Sequence, residues 1–180
     1  WVIFTADHGE MLGDHHMSQK NLFFEGSAHV PLLIMPPQGR SLPHNISVEA
    51  PTDLVDIYPT ILAMAGLSSP VSGSGKNLLE PVPMDRMFFG NSLNKNFCVM
   101  EEKVKLVYSA VGDHVLLFDL NTDPMEQHNL AEDPDWQERK AKLWKLLLEH
   151  TAQYTPEALD ENGQFLTYEA PRFPGDMPGR

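Results

Sequence analysis

Cysteine occurs once in these 180 residues, at Cys98, which excludes an intrachain disulfide and any thiolate-rich zinc site. Basic residues are scarce as well. Against 25 aspartates and glutamates stand only 13 lysines and arginines, for a formal net charge of -12. Nucleic-acid binding proteins normally carry a basic patch or stripe, so no nucleic-acid partner is expected. No run approaches the roughly 18 apolar residues of a membrane-spanning helix, and no membrane partner is expected. The compartment stays open. What is present is ordinary for a globular chain: 42% hydrophobic and 21% charged residues, in a length that suits one core of ~100–200 residues.

Trp1 to Thr5 is a short β-branched and aromatic run, which reads as a strand buried on both faces. Asp7 and His8 follow its carboxyl end, the edge at which open α/β sheets bind ligands. A second strand is expected in VPLLIMP, closed by Pro36 and Pro37, after a short turn or helix over Leu22 to Gly26 that ends at its glycine. EAPTDLVDIYPTILAMAGL carries Thr52 and Asp53 as cap residues, Pro59 near its start and Gly66 as terminator, and reads as a buried helix. Serine, glycine and proline accumulate from Val71 to Pro83, as in a linker or exposed loop.

Four strand-like runs follow, RMFFG, FCVME, VKLVYSA and HVLLFDL, whose tight polar turns fit an antiparallel meander. Asp133 and Pro134 then open an amphipathic helix, DWQERKAKLWKLLLEH, with Trp136, Leu143, Trp144 and Leu147 toward the meander. Pro156, Pro171, Pro174 and Pro178 mark the rest as an extended tail packed over something larger.

Chemistry concentrates near the amino terminus. Asp7 and His8 can reach one cation if the backbone turns at Gly9; the plainer alternative is a turn cap beside a locally bonded histidine. An oxygen and a nitrogen ligand suit manganese or zinc as well as harder cations, and further carboxylates must come from elsewhere. Lys20 can bind a tetrahedral anion and neutralise a leaving oxygen, or be ordinary surface. His15 and His16 read as a solvated loop, Glu25 as a brace, His29 as facing either core or pocket, and Cys98 as a buried hydrophobe.

TADHGEMLGDHH, the following lysine and FFEGSAHVPLLI together resemble the second half of the sulfatases, within the alkaline phosphatase superfamily. DLVDIYPTILAMAG is similar to that family's helix after the active site, and LFDLNTDPMEQHNLAED to its C-terminal signature. The blocks stand in family order across most of residues 1–150. The resemblance implies an α/β fold: residues 1–80 as the edge of an alkaline-phosphatase-like sandwich, 81–155 as a small antiparallel four-stranded sheet packed by a helix, and 156–180 as the tail.

It also implies roles. Asp7 and His8 align with metal ligands, although many relatives have asparagine in place of His8. Lys20 aligns with the lysine that contacts the sulfate, giving Lys20 and His8 as catalytic positions. His29 stands where many members carry arginine and receives no role. The implied cofactor is a divalent cation, Ca2+ first and Mg2+ or Mn2+ next. The family's nucleophile, a formylglycine made from a Cys/Ser-x-Pro-x-Arg motif, has no counterpart in the chain, so an N-terminal portion of the same protein is expected to supply it. The implied reaction is hydrolysis of a sulfate ester, of a small molecule or a sulfated carbohydrate, by attack of hydrated formylglycine on sulfur. Phosphonate monoester or phosphodiester hydrolysis is the alternative within the superfamily, and a noncatalytic fragment is the alternative outside it.

Overall fold

Alternation of side chains decides how the first strands are used. In the computed structural model, which describes residues 1–20, 22–39, 45–68, 73 and 75–170, β1 (Val2–Thr5) pairs antiparallel with β2 (Leu32–Met35), in register from Val2 opposite Met35 to Thr5 opposite Leu32. Period-two geometry puts Val2, Phe4, Leu33 and Met35 on one face. That face is open: Val2 is 53% and Phe4 62% exposed. Burial on both sides needs a layer on each, and among the described residues none covers this face, so the expectation of a strand buried on both faces is not met within these 180 residues.

The backbone divides into two compact units, one of Trp1–Lys20 with Phe24–Phe88, the other of Leu22, Phe23 and the residues from Phe89 onward. In the first, α1 is a single turn, Glu25–Ala28. Gly26 lies inside it and does not end it; it packs beside the Met11 side chain, which a Cβ there would touch at 3.4 Å. A 3-10 turn over Leu54–Asp56 leads into α2 (Ile57–Met64). Asp53 caps the turn as expected, accepting from the Val55 amide while Asp56 returns a bond to the Asp53 amide at 2.8 Å. Gly66, at φ 72°, closes α2 with the 6→1 and 5→2 bonds of a Schellman motif, Leu67 N–H to Leu62 O and Gly66 N–H to Ala63 O. The helix is not buried all round, since Tyr58 and Ile61 face outward.

Asp56 ties this unit together. Its carboxylate, fully buried, accepts both Arg86 guanidinium nitrogens at 2.6 and 2.9 Å, the Lys76 amide at 2.7 Å and the Asp53 amide. A buried charge with every lone pair engaged is tolerable where a bare one is not. The segment expected as a linker is thus anchored from Gly75 on, where a Cβ would meet the Val55 carbonyl at 2.3 Å. Residues 71, 72 and 74 of that segment lie outside the described residues, as do Pro171, Pro174 and Pro178 of the tail.

The second unit contains the expected meander, β3 (Phe88–Ser92), β4 (Asn96–Glu101), β5 (Val104–Ser109) and β6 (His114–Asp119), adjacent in that order. Leu93–Asn94 and Glu102–Lys103 turn the first two hairpins with positive φ at both central residues, the mirror-image turn that matches strand twist. Helix α3 (Gln137–Tyr154), entered through Asp133 and a Pro134–Trp136 turn, lays Leu143 and Leu147 on Val99, Leu106, Tyr108 and Leu117.

The tail departs from the expected extended course. After Pro156–Ala158 it folds back, pairing Leu159 with Phe165 and Tyr168 with Val111. Phe165 enters this unit's own core, 4.6 Å from the Phe97 and Tyr108 rings. A proline-rich composition describes the backbone, and one well-placed aromatic decides where it goes.

Candidate active site

Past Thr5 the chain leaves β1 and turns through Ala6, Asp7 and His8, whose course is set by a close approach at Gly9. The Gly9 amide donates to the Ser27 carbonyl at 2.8 Å, and a Cβ on Gly9 would stand 2.2 Å from the Gly26 carbonyl oxygen. Glycine is needed here for contact with the segment before β2, whereas its sequence context had pointed only to a turn.

The Gly9 carbonyl also orients the His8 ring. Its Nδ1 lies 2.7 Å from the Gly9 carbonyl, and a carbonyl only accepts, so Nδ1 is the donor of this bond and Nε2 is the nitrogen turned outward. Around Nε2 gather the other two expected residues: the Asp7 carboxylate at 3.3 Å and the Lys20 ammonium, which donates to Nε2. Asp7 also accepts from the His8 amide at 3.0 Å. Its side chain is 85% exposed and that of His8 35%, so an outside ligand can reach both.

Asp7 and His8 therefore bring a carboxylate oxygen and an imidazole nitrogen to one point, a donor pair that suits a divalent cation. They supply two donors only; among the described residues no three His, Cys, Asp or Glu side chains form a cation cage. The residues present fit part of a metal shell.

The loop between His8 and Lys20 contains groups the sequence did not single out. Its stem is closed by Met11 N–H to Gln19 O at 3.0 Å, and the Glu10 carboxylate accepts from the Gln19 amide. Gln19 itself is left-handed, at φ 69°, a conformation that costs a non-glycine residue on the order of 1 kcal/mol. Buried Met11 pins the stem to Gly26, and His15 stacks on Phe24 with ring centroids 4.2 Å apart. His29 pairs with Glu25 at 2.8 Å, and Cys98 is buried in β4.

The profile of the family described as N-sulphoglucosamine sulphohydrolase, C-terminal, matches residues 13–153. Arylsulfatase K of Bos taurus is 36% identical over 149 residues, 72% of this chain and 27% of that protein. Among solved structures, a 2-O GAG sulfatase superposes with a TM-score of 0.71 at 22% identity, over 88% of this chain and 38% of its own, so the fold is that of the alkaline-phosphatase-like sulfatases. The phosphonate monoester hydrolase of Agrobacterium radiobacter superposes at 0.64 with 33% identity, over 89% of this chain and 38% of its own. The chain thus spans between a quarter and two fifths of these relatives' length. A match over most of its residues, in the C-terminal part of that architecture, means that the chain belongs to the sulfatase family and corresponds to its C-terminal portion.

Proposed function

We propose that this chain is the C-terminal portion of an enzyme that hydrolyses sulfate monoesters, with Asp7 and His8 providing part of a divalent-cation site and Lys20 the cationic contact to the ester. The observation that supports it is the convergence of Asp7 Oδ2 and Lys20 Nζ on Nε2 of His8 at the end of β1. An N-terminal portion of the same protein supplies the formylglycine nucleophile and the remaining cation ligands, and the isolated 180 residues are inactive.

Within that site each residue has a definable task. The cation, when bound, polarises the ester oxygens and lowers the nucleophile's pKa. Asp7 brings the negative charge that holds it. His8 brings a lone pair, kept available because the Gly9 carbonyl occupies its other nitrogen. Lys20 cannot donate to Nε2 while Nε2 serves a cation, so with the cation in place its ammonium is released to the ester, where it neutralises charge on the departing oxygen. Ca2+ is the first choice of ion, with Mg2+ and Mn2+ next, because the carboxylate is hard while one nitrogen donor is tolerated.

Phosphonate monoester hydrolysis is the second reading, favoured by the 33% identity to the Agrobacterium enzyme; both esters are tetrahedral monoanions to which Asp7, His8 and Lys20 are equally suited. The test is turnover of 4-nitrophenyl sulfate and of a phenylphosphonate monoester by the full-length protein, with cation affinity measured by titration. Asp7→Ala is expected to weaken cation binding at least tenfold. Lys20→Ala is expected to leave cation affinity equal or tighter and to lower kcat by about 10²–10³, the range for loss of one charge-stabilising donor. Preference for the phosphonate would select the second reading, and turnover of neither would remove both.

A further inference from the structure

Lys20 is exposed, carried on a polar loop, and its four-carbon stem is intrinsically mobile, yet it meets His8 across eleven intervening residues. Something must aim it. The residue before it is gripped at both of its backbone ends: the Gln19 N–H donates to the Glu10 carboxylate and the Gln19 carbonyl accepts from Met11 N–H at 3.0 Å. Between these bonds Gln19 is held at φ 69°. Both grips come from the strand-side stem that follows His8 and Gly9, so the amide that aims Lys20 is referenced directly to the segment that carries His8. A left-handed residue next to a site, fixed by partners outside itself, is strain retained for orientation.

We propose that Glu10 is a positioning residue: by holding the Gln19 amide in its left-handed conformation, its carboxylate aims Lys20 at the point where His8 Nε2 and the ester oxygen are served. Glu10 touches neither cation nor substrate in this assignment, which rests on the functional reading above. Its carboxylate acts as a hydrogen-bond acceptor, so the amide oxygen of glutamine can replace it and a methyl group cannot.

The experiment uses the full-length protein, wild type and with Glu10→Ala, Glu10→Gln or Gln19→Gly, with kcat and KM read on whichever ester the wild type cleaves. Hydrogen exchange is followed in the peptide spanning Gln19 and Lys20. Glu10→Ala is expected to lose about five- to tenfold in kcat with KM within twofold, and to lose exchange protection at the Gln19 amide; Glu10→Gln is expected to restore both to within twofold of wild type. Gln19→Gly, which adopts positive φ without strain, is expected to keep thermal stability while kcat falls two- to threefold, and tests the idea should Glu10→Ala fail to fold. Equal kcat in wild type and Glu10→Ala, or Glu10→Gln as damaged as Glu10→Ala, overturns the positioning role. A wild type that cleaves only the phosphonate overturns the sulfatase reading and leaves the comparison of variants decisive for Glu10.

Discussion

At the scale of single residues, the site depends on which atoms are already spoken for. His8 is a plausible ligand in any sequence, but only the Gly9 carbonyl at 2.7 Å decides that Nε2 and not Nδ1 is offered. The glycine itself has no slack: a methyl on its Cα would overlap the Gly26 carbonyl at 2.2 Å. Backbone cannot swing aside as a side-chain end can, so Gly9→Ala is expected to displace the Asp7–His8 turn, costing about 1–3 kcal/mol in stability and at least tenfold in cation affinity. Thermal denaturation with and without the cation checks both parts, and the stabilisation conferred by the ion should shrink in the variant. That Asp7, His8 and Lys20 come together was open to the sequence through the family resemblance, which aligned all three with one site. Glu10 and Gln19 were not, because one is an unremarkable surface acid and the other acts through a backbone dihedral that no side chain announces.

Among the elements, those with strong local rules were readable. The meander followed from short β-branched runs between tight turns, and α2 and α3 from Asp53, Gly66, Asp133 and Pro134 as caps. Where tertiary contact overrides local preference, expectation and structure part: Gly26 sits inside α1, the supposed linker is tied to Asp56, and the tail doubles back. Phe165 shows why the last was hidden. Its position reflects a space left between Phe97, Tyr108 and Trp144, whose ring centroids lie 4.6, 4.6 and 5.5 Å from its own, and no periodicity in a non-repeating segment encodes such a space. Phe165→Ala is expected to cost about 3–5 kcal/mol, the range for emptying a core aromatic site, and to expose residues 156–168 to limited proteolysis; an unchanged cleavage pattern would show that the tail does not need this anchor.

For the molecule as a whole, His150 and Glu101 both lower stability on acidification, while burial, which raises Asp53, acts the other way. Burial between the Phe89 and Tyr154 rings holds His150 below its usual 6.5. As the folded protein then takes up this proton less readily than the unfolded chain, stability is complete above about 6.5 and declines as the pH falls below it. Glu101 is lowered from its ordinary 4.5 chiefly by the hydrogen bond from Lys142 at 2.6 Å, with Arg139 adding its charge. Its contribution is present above about 4.5 and lost on further acidification. Denaturant unfolding of the full-length protein between pH 8 and 4 is expected to show stability falling in both windows. His150→Phe should flatten the upper one and leave the lower intact, and a variant with the same slope between pH 7 and 5.5 as wild type would remove His150 from the account.

What the sequence determined by itself was local and chemical: a family pattern, the order of strands and helices, their caps, and the residue types able to bind a cation and an anion. These are encoded by neighbours along the chain, through turn geometry, period-two and period-3.6 patterning, and functional groups. The tertiary structure decided which nitrogen of His8 is turned outward, which residue holds the backbone before Lys20, and where the tail lodges. Each of those depends on geometry that residue types along the chain do not announce: a carbonyl, a ring or a missing Cβ that must first be brought into place.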